Sequence, residues 1–399
     1  MVSNVLAPVQ QRGREALQRL GLPTRKQEAW RLTDLKRLGE IAALPEVREA
    51  LDIVLPEVAE GVTRIVLGAE SDPLDGVRLP EGVTSLTEAE LHQHLGQSLD
   101  HCGCSQAWPV QLNHAHSRQL LALRIRGRVA PLELVLPTCV GLTATRVLLL
   151  LESDAELELF QVFPAEGSPP DVHQAHSHVL EVHLGQGARL DHGVLASGSG
   201  DASLMVHLAI EQEPGSHYGL TSVCRGWRFG RLEPRVLQLD GQATTGIHGL
   251  SMTTAEEQFA THSSMRFDGP EGGLDQLQKA VAADRSHSIF NGAIQVPRPA
   301  QRTDASQLSR SLLLSRRARL DAKPELQIIA DDVKCAHGAT VSQLQEDELF
   351  YLRSRGITEA EATALLLNGY CQEVIDQLPA EAARWKLSER VHNLLISAV

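Results

Sequence analysis

The sequence has few aromatic residues and no long apolar segment. Phe, Trp and Tyr make up 4% of the 399 residues, so Leu, Val, Ile and Ala must form most of any packed interior. The longest purely aliphatic run, Val147 to Leu151, is far shorter than the roughly 20 residues that cross a bilayer. The N-terminus shows no charged segment followed by an apolar stretch. We therefore expect neither a secretory signal nor a membrane partner.

Cysteine and positive charge are also scarce. Six cysteines in a chain of this length do not make a disulfide framework, and we expect reduced thiols in a cytoplasm or a plastid stroma. Lys and Arg number 37 against 50 Asp and Glu, which gives a net charge of −13. Because binding to a phosphate backbone needs a positively charged surface, no nucleic-acid partner is expected.

The motifs of several common enzymes are missing. The sequence contains no Gly-x-x-x-x-Gly-Lys-Ser/Thr phosphate loop, no His-Glu-x-x-His, no Gly-x-Ser-x-Gly elbow, no Cys-x-x-Cys and no Rossmann fingerprint. These absences lower the expectation of a self-contained enzyme, and of ATP hydrolysis through a phosphate loop in particular.

Hydrophobic periodicity divides the chain into three zones and predicts a mainly β fold with helical ends. Residues 1–108 are predicted to be mostly helical, with a first helix that ends at Gly21. Residues 109–340 change to alternation, which is typical of half-buried strands. Strand-like runs follow one another at a spacing of roughly 10–13 residues, which suits a sandwich, a barrel or a β-helix. The alternating apolar positions include Leu180, Val182, Leu184, Leu204, Val206, Leu208, Ile210, Leu237 and Leu239.

Residues 341–399 return to helical spacing. Thr358 and Glu361 match a capping box at the start of a helix. One apolar stripe follows, formed by Leu367, Tyr370, Cys371, Val374 and Leu378, and Pro379 ends it. A second stripe is formed by Leu387, Val391, Leu394 and Leu395. The pattern predicts a helical hairpin that either packs on the β domain or docks a partner.

Two groups of potential metal ligands have simpler interpretations. His173, His176, His178 and His183 lie close together, but they lack a cysteine and a tight third ligand, and we expect strand histidines that face solvent. Cys102 and Cys104 flank Gly103, and a Cys-x-Cys pair can bind a thiophilic metal. With no second pair nearby, we expect two small residues in a turn.

Cys335 and His337 form a stronger candidate. They lie in a segment, residues 326–340, whose pattern indicates a strand and a turn. One intervening residue on a strand places both side chains on the same face. Thiolate and imidazole are suitable ligands for iron or zinc, but two ligands do not complete a four-coordinate shell. The remaining ligands would come from elsewhere in the chain, from a second chain or from sulfide, which points to an interface or transfer site.

Several segments have the character of family motifs. The most specific block runs from Asp321-Ala-Lys-Pro-Glu through Asp-Asp-Val-Lys-Cys-Ala-His-Gly-Ala-Thr340 and includes the later Leu349-Phe-Tyr-Leu-Arg-Ser-Arg-Gly-Ile357. Further motifs are Gly21-Leu-Pro-Thr-Arg-Lys-Gln-Glu-Ala-Trp30, Phe290-Asn-Gly292 and Leu312-Leu-Leu-Ser315. Together these segments, which cover most of the chain, resemble the SufB/SufD family of scaffold subunits in the SUF iron–sulfur cluster assembly system. The form of these motifs is closer to the SufD branch than to the paralogous SufB branch.

The resemblance implies a right-handed parallel β-helix between helical ends. It implies a non-catalytic scaffold that pairs with a SufB-like paralogue and docks a SufC-like ABC ATPase through the C-terminal helices, at Leu367, Tyr370, Val374 and Leu378. It also implies that Cys335 and His337 lie where a transient iron–sulfur cluster forms at the interface with SufB. No cofactor is expected to bind stably to the lone chain, which could form a homodimer.

Three other interpretations remain open from the sequence. The chain could be a SufB-like paralogue or a carbohydrate-active enzyme built on a β-helix. It could also be a homodimeric structural relative without a role in cluster assembly. A carbohydrate-active enzyme would need a carboxylate cluster or a metal site on one face of the solenoid. The low aromatic content also argues against sugar stacking.

Overall fold

The structure is a computed structural model that describes residues 2–46, 54–68, 72–165 and 172–386. Within these residues the α-helices are α1 (Val2–Leu20), α2 (Leu35–Ala42), α3 (Glu88–His94), α4 (Gln97–His101), α5 (Trp108–His116), α6 (Glu346–Ser354) and α7 (Glu359–Ile375). Short 3₁₀ helices cover Glu28–Trp30 and Ala380–Trp385. None of the helices in these ranges has the length and apolar character needed to cross a membrane.

The first strands are β1 (Thr63–Val66), β2 (Val83–Ser85), β3 (Gln119–Ile125), β4 (Leu132–Val135), β5 (Gly141–Leu151), β6 (Glu156–Ala165), β7 (Gln174–Leu184), β8 (Arg189–Gly198) and β9 (Ala202–Gln212). They are followed by β10 (His217–Arg225), β11 (Phe229–Gln238), β12 (Thr244–Thr253), β13 (Gln258–Phe267), β14 (Gly273–Ala282), β15 (His287–Val296), β16 (Asp304–Leu313), β17 (Arg319–Ile328) and β18 (Lys334–Ser342).

The strands form two nine-stranded sheets. Sheet one has the order β1-β4-β6-β8-β10-β12-β14-β16-β18, and sheet two has the order β17-β15-β13-β11-β9-β7-β5-β3-β2. From β3 to β18 the chain alternates between the sheets, and each strand pairs in parallel with the strand two positions along the sequence. A parallel β-solenoid results, with one strand of each sheet in every turn. The predicted mainly β fold with helical ends is confirmed.

The solenoid interior is packed mainly with aliphatic side chains from both sheets. In β7, Leu180, Val182 and Leu184 belong to this central cluster, as the alternation predicts. In β11 the interior-facing residues are not the alternating leucines. Gln238 is the buried residue that faces the interior, where it donates a hydrogen bond to Thr245 Oγ1 at 3.0 Å. Leu237 is buried as well, on the other side of β11, and Leu239 lies half-buried just after the strand.

The N-terminal helices cover the outer face of sheet two. Helices α4 and α5 contact β7 and β9, so that polar side chains on the outer face are also removed from water. Glu181 is an example: it is fully buried, pairs with Arg146 at 2.6 Å and accepts a hydrogen bond from the Gly96 amide. This cover explains why residues on both faces of the central strands are buried.

Helix α7 covers part of the outer face of sheet one, against β10 and β12. It begins at the predicted capping box: Thr358 Oγ1 accepts a hydrogen bond from the Glu361 amide, and the Glu361 carboxylate accepts one from the Thr358 amide. Such reciprocal bonds satisfy amide groups that have no partner within the first helical turn. Helix α1 ends at Gly21, also as predicted, where a positive φ of 62° suits glycine.

The zones differ from the prediction in two places. Strands β1 and β2 precede residue 109 and join the solenoid sheets, although this region is expected to be helical. Helix α6 precedes the predicted hairpin. The second apolar stripe, Leu387 to Leu395, lies outside the described residues, and so does the predicted hairpin partner of α7.

Candidate functional site

Cys335 and His337 both lie on β18, the last strand of sheet one. In the parallel register Cys335 is opposite Ala305, and His337 is opposite Gln307 on β16. Ala305 and Gln307 are both buried, and Ala305 belongs to the central core. Because in-register neighbours share a face, both candidate ligands stand on the interior-facing side of the strand, as the spacing predicts for a common face.

The environment of this pair is the open end of the solenoid. Strands β17 and β18 end their sheets, and in the part of the chain that the structure describes no further strand follows them. Cys335 packs against the central core but is only half-buried, and His337 is exposed. The pair is therefore anchored by the core and accessible from outside.

Electrostatics favour a neutral thiol at this position. Partial burial is the main factor that raises the pKa of Cys335, and the negative charge of Asp304 adds to it, whereas a hydrogen bond with the backbone of Ala305 acts in the opposite direction. A thiol with a raised pKa binds a metal only when it loses its proton, so metal binding at this position would be coupled to proton release. Among the described residues no group of three or more His, Cys, Asp or Glu side chains is arranged to hold a metal ion.

His176 and His178 are buried inside the solenoid, which corrects the expectation that they face solvent. Thr145 Oγ1 lies 2.8 Å from His176 Nε2 and 2.9 Å from His178 Nδ1. Gln161 continues the network from His178 to His192. Burial lowers the pKa of His176 to about 3 and that of His178 well below its usual value, so both rings are neutral. They are core residues on the same face of β7 as Leu180, and the alternation of the strand was the signal that could have placed them in the interior.

The other two histidines of the group have carboxylate partners. His173 pairs with Asp201, and His183 lies 3.3 Å from a Glu211 oxygen and 3.1 Å from a Glu213 oxygen. The hydrogen bond to Glu211 is the largest factor that raises the pKa of His183. The four histidines therefore do not converge on one site: His176 and His178 share the interior, whereas His173 and His183 have separate carboxylate partners.

Cys102 and Cys104 lie in the turn after α4, under the outer cover of sheet two. The Cys102 thiol donates to the carbonyl oxygens of Ile210 at 3.5 Å and Arg235 at 3.7 Å, and the Cys104 thiol donates to that of Leu99 at 3.4 Å. Burial raises the pKa of Cys104 to about 12. Both thiols are engaged with backbone groups, which supports the interpretation of a packed turn.

The predicted docking residues of the C-terminal region lie on the inner side of α7 and just after it. Leu367 and Val374 are fully buried in a cluster with Leu250, Met252 and other residues of sheet one. Tyr370 and Leu378 pack partly buried against the same cluster. In this conformation the stripe contacts the chain's own solenoid, because an apolar helix face that covers a sheet removes both surfaces from water. Docking by these four residues remains a prediction, but a partner would have to displace α7 to reach Leu367 and Val374.

Exposed apolar side chains identify a different surface, which sequence reasoning missed. Phe350 and Tyr351 on α6 are 73% and 58% exposed, and Leu365 on α7 is 54% exposed. Ile329, between β17 and β18, and Val341 on β18 are exposed at the end of the solenoid. No sequence pattern marks these residues, because their exposure depends on how the helices and the last strands pack in the folded chain.

A groove of about 780 Å³ lies beside the end of α7, on the outer face of sheet one. Its charged lining is largely paired within the groove, as in Arg189 with Asp191 and His248 with Asp275. The groove does not include β18, and it provides no link to the Cys335–His337 pair.

The fold and this pair define a class: a parallel β-solenoid protein with a cysteine and a histidine side by side on the last strand of one sheet. Residues 138–370 match the family described as the SUF system FeS cluster assembly SufBD core domain. The chain belongs to this SufBD family of the SUF iron–sulfur cluster assembly system.

Individual relatives agree with this assignment. An iron–sulfur cluster assembly SufBD family protein of Synechocystis is 31% identical over 97% of this chain and 91% of its own length. The iron–sulfur cluster assembly protein SufD of Escherichia coli is 29% identical over 98% of this chain and 93% of its own length. A chloroplastic protein of Arabidopsis thaliana is 37% identical over 63% of this chain and 52% of its own length.

Proposed function

We propose that this chain is a non-catalytic scaffold subunit of iron–sulfur cluster assembly. In this proposal it pairs with a SufB-like chain at the open end of the solenoid and docks a SufC-like ATPase through its C-terminal helices. The iron–sulfur cluster is the cargo of the assembly, formed transiently between the paired chains, and the lone chain holds no stable cofactor.

The observation that carries the proposal is the position of Cys335 and His337 on one face of the terminal strand. Two side chains leave a tetrahedral iron site with two ligands to be supplied. A site at an open end can receive these ligands from a second chain and from sulfide. A closed structural site would instead show its full set of ligands within one chain.

The terminal turn also has the properties of a pairing surface. A strand at the end of a sheet presents backbone N–H and C=O groups that another strand can use. Ile329 and Val341 add exposed apolar area beside these groups, and burial of such area favours association. A SufB-like chain is the proposed occupant, and a second copy of this chain can take the same position when the partner is missing.

Docking of an ATPase is supported by the exposed side of the C-terminal helices. Because the chain has no phosphate loop, an ATP-driven rearrangement must reach it through a contact with another subunit. Phe350, Tyr351 and Leu365 offer the kind of apolar anchors that dominate helix-mediated interfaces. We therefore place the ATPase contact on these residues rather than on the buried stripe of α7.

Co-purification and anaerobic reconstitution test the proposal. The chain is mixed with a SufB-like chain and a SufC-like ATPase, and complex formation and cluster content are measured with each component omitted in turn. We expect cluster formation that depends on both Cys335 and the SufB-like chain. Stable cluster formation by this chain alone, or no complex with either partner, would contradict it. Activity of the lone chain on acidic polysaccharides would favour the carbohydrate-active alternative.

A further inference from the structure

Three polar side chains form a hydrogen-bonded ladder inside the last turns of the solenoid. Gln276 Nε2 donates to Ser263 Oγ at 2.7 Å, and Gln307 Nε2 donates to Gln276 Oε1 at 2.8 Å. All three residues are buried, with Gln307 only 2% exposed. We refer to Ser263, Gln276 and Gln307 as the glutamine ladder.

The ladder leads directly to His337. Gln276 is the register partner of Gln307, and Gln307 is the register partner of His337. Adjacent strands lie about 4.8 Å apart, so an inward-turned imidazole on β18 lies within hydrogen-bonding reach of the Gln307 amide. The ladder thus stops one strand before the candidate ligand.

The side-chain amide of Gln307 has one atom without a hydrogen-bond partner among the described residues, its oxygen Oε1. Its Nε2 is used by Gln276, whereas its Oε1 is buried and accepts no hydrogen bond from the described residues. A buried carbonyl oxygen without a donor is unfavourable, and most such groups in folded proteins find a partner. A neutral imidazole N–H on the neighbouring strand is a suitable donor.

The opposite sheet makes room for this amide. Gly292 lies on β15, and a Cβ atom built on it would overlap the Gln307 amide nitrogen and the ring of Phe290. Gly292 belongs to the Phe290-Asn-Gly292 motif, for which the proposed scaffold role gives no other reason. The absence of a side chain at this position lets Gln307 extend across the interior.

We propose that Gln307 is a positioning residue for His337, with its Oε1 accepting the imidazole N–H once a partner closes the end of the solenoid. This hydrogen bond fixes which ring nitrogen carries the proton and leaves the other nitrogen free to bind iron, as second-shell acceptors do for metal-bound histidines. The inference rests on the proposed function of Cys335 and His337.

The matched control is a second buried glutamine that faces a glycine. Gln278 is also buried on β14, and a Cβ atom on its register partner Gly249 would overlap the Gln278 amide. The register partner of Gln278 on the next strand is Ser309, and that of Ser309 is Ala339, so this row of neighbours does not include His337. Gln307→Leu and Gln278→Leu therefore remove the same group from the same interior, but only Gln307 lies beside His337.

The first measurement is cluster yield in the complex with the SufB-like chain and the ATPase. We expect Gln307→Leu to lower the yield by about 10-fold, and Gln278→Leu to leave it within about twofold. In a His337→Ala background the Gln307→Leu change should have no further effect, because a positioning residue acts through its target. Equal loss from both glutamine variants, or an additive loss in the double variant, would overturn the assignment.

The second measurement does not depend on assembly. Nitrogen-15 spectra of histidine-labelled chain in the complex, at a pH where the ring is neutral, report which His337 nitrogen is protonated, with His337→Ala identifying the signal. We expect one dominant tautomer in the wild type and a mixture in both Gln307→Leu and Gly292→Ala. A tautomer that neither variant changes would overturn the inference. If the yield is normal in His337→Ala while the tautomer still responds, the proposed function fails and the Gln307 contact stands.

Discussion

The ammonium group of Lys279 lies 4.2 Å from the centre of the Tyr370 ring and donates a hydrogen bond to the Tyr370 carbonyl oxygen at 2.6 Å. Lys279 is on β14 and is only 2% exposed. It also pairs with the Glu373 carboxylate one turn farther along α7. One buried cation therefore joins the C-terminal helix to sheet one at three points.

Removal of this cation should loosen α7. We expect Lys279→Ala to lower the free energy of unfolding by about 2 kcal/mol, because it removes a charge-assisted hydrogen bond and a cation–π contact. Urea unfolding and limited proteolysis within α7 measure the effect. Arg310 is the control, since its 3.9 Å contact with Glu373 is exposed and Arg310→Ala should cost less than about 0.5 kcal/mol. Equal effects of the two changes would show that Lys279 is not the main anchor.

Contact with the ATPase should depend on the outer surface of α6 and α7. The combined change Phe350→Ser and Leu365→Ser is expected to weaken ATPase capture in a pull-down by at least about 10-fold, because a few apolar anchors carry most of the energy of such contacts. Val54→Ser removes an exposed apolar side chain elsewhere and should have no effect. If the double variant captures the ATPase as well as the wild type does, the ATPase binds another surface and this assignment is wrong.

The sequence predicts that truncation after Gly356 abolishes ATPase binding while the β core stays folded. The structure adds a second consequence of this truncation. Without α7, the cluster that includes Leu250, Met252 and Leu312 on sheet one becomes exposed. Such a patch favours aggregation, so loss of capture by the truncated chain would not isolate the contact.

Acid should destabilise the solenoid interior. Burial lowers the pKa of His192 to about 3, and its hydrogen-bond partners Gln161 and Tyr218 are neutral. In the unfolded chain His192 takes up a proton as the pH falls through about 6.5, whereas in the folded chain it stays neutral at that pH. The unfolded state therefore binds more protons below that pH, and stability falls with decreasing pH down to about 3, by about 1.4 kcal/mol per pH unit for each such histidine.

The contribution of His192 can be isolated by comparison. His192→Gln should be less stable than the wild type at pH 8, but its stability should fall less steeply between about pH 6 and 4.5. Chemical denaturation at several pH values measures both slopes. Identical slopes would mean that His192 is protonated in the folded protein or does not titrate in this range on unfolding.

Cys102 and Cys104 should be dispensable for cluster assembly. Their thiols contact backbone carbonyl groups and lie under the helices that cover sheet two. We expect the Cys102→Ala/Cys104→Ala variant to lose about 1–2 kcal/mol of stability through lost packing and to keep full cluster yield at a temperature where it is folded. Loss of bound iron from the folded variant would place the site here instead of on β18.

The sequence predicted most of the architecture because its signals are local. Alternation in β7, the capping box at Thr358 and the glycine after α1 each specify local backbone structure. The shared face of Cys335 and His337 followed from strand geometry in the same way. The family resemblance then selected the solenoid from the sandwich and the barrel, which periodicity alone leaves open.

The rest depends on contacts between distant parts of the chain. Alternation places His176 and His178 on the same face of β7 as Leu180, whereas their residue type alone argued for a position in solvent. Only the structure shows the hydrogen-bond partners that allow both rings to be buried. The same limit applies to α7, whose apolar stripe predicts burial but does not show whether the chain itself or a partner provides the cover. Gln307 carries no motif of its own, and only the strand register places it beside His337.

The central claim is that Cys335 and His337 act together at an interface between chains. The most direct measurement is the iron and acid-labile sulfide content of the complex formed with the SufB-like chain and the ATPase under anaerobic conditions. Cys335→Ala and His337→Ala, alone and combined, are compared with the wild type. Both residues lie at the accessible end of the solenoid, so we expect stability to change by less than about 1 kcal/mol and the complex to assemble. We predict that the combined variant forms an intact complex with at least about 10-fold less cluster. Full cluster content in that variant would contradict the account.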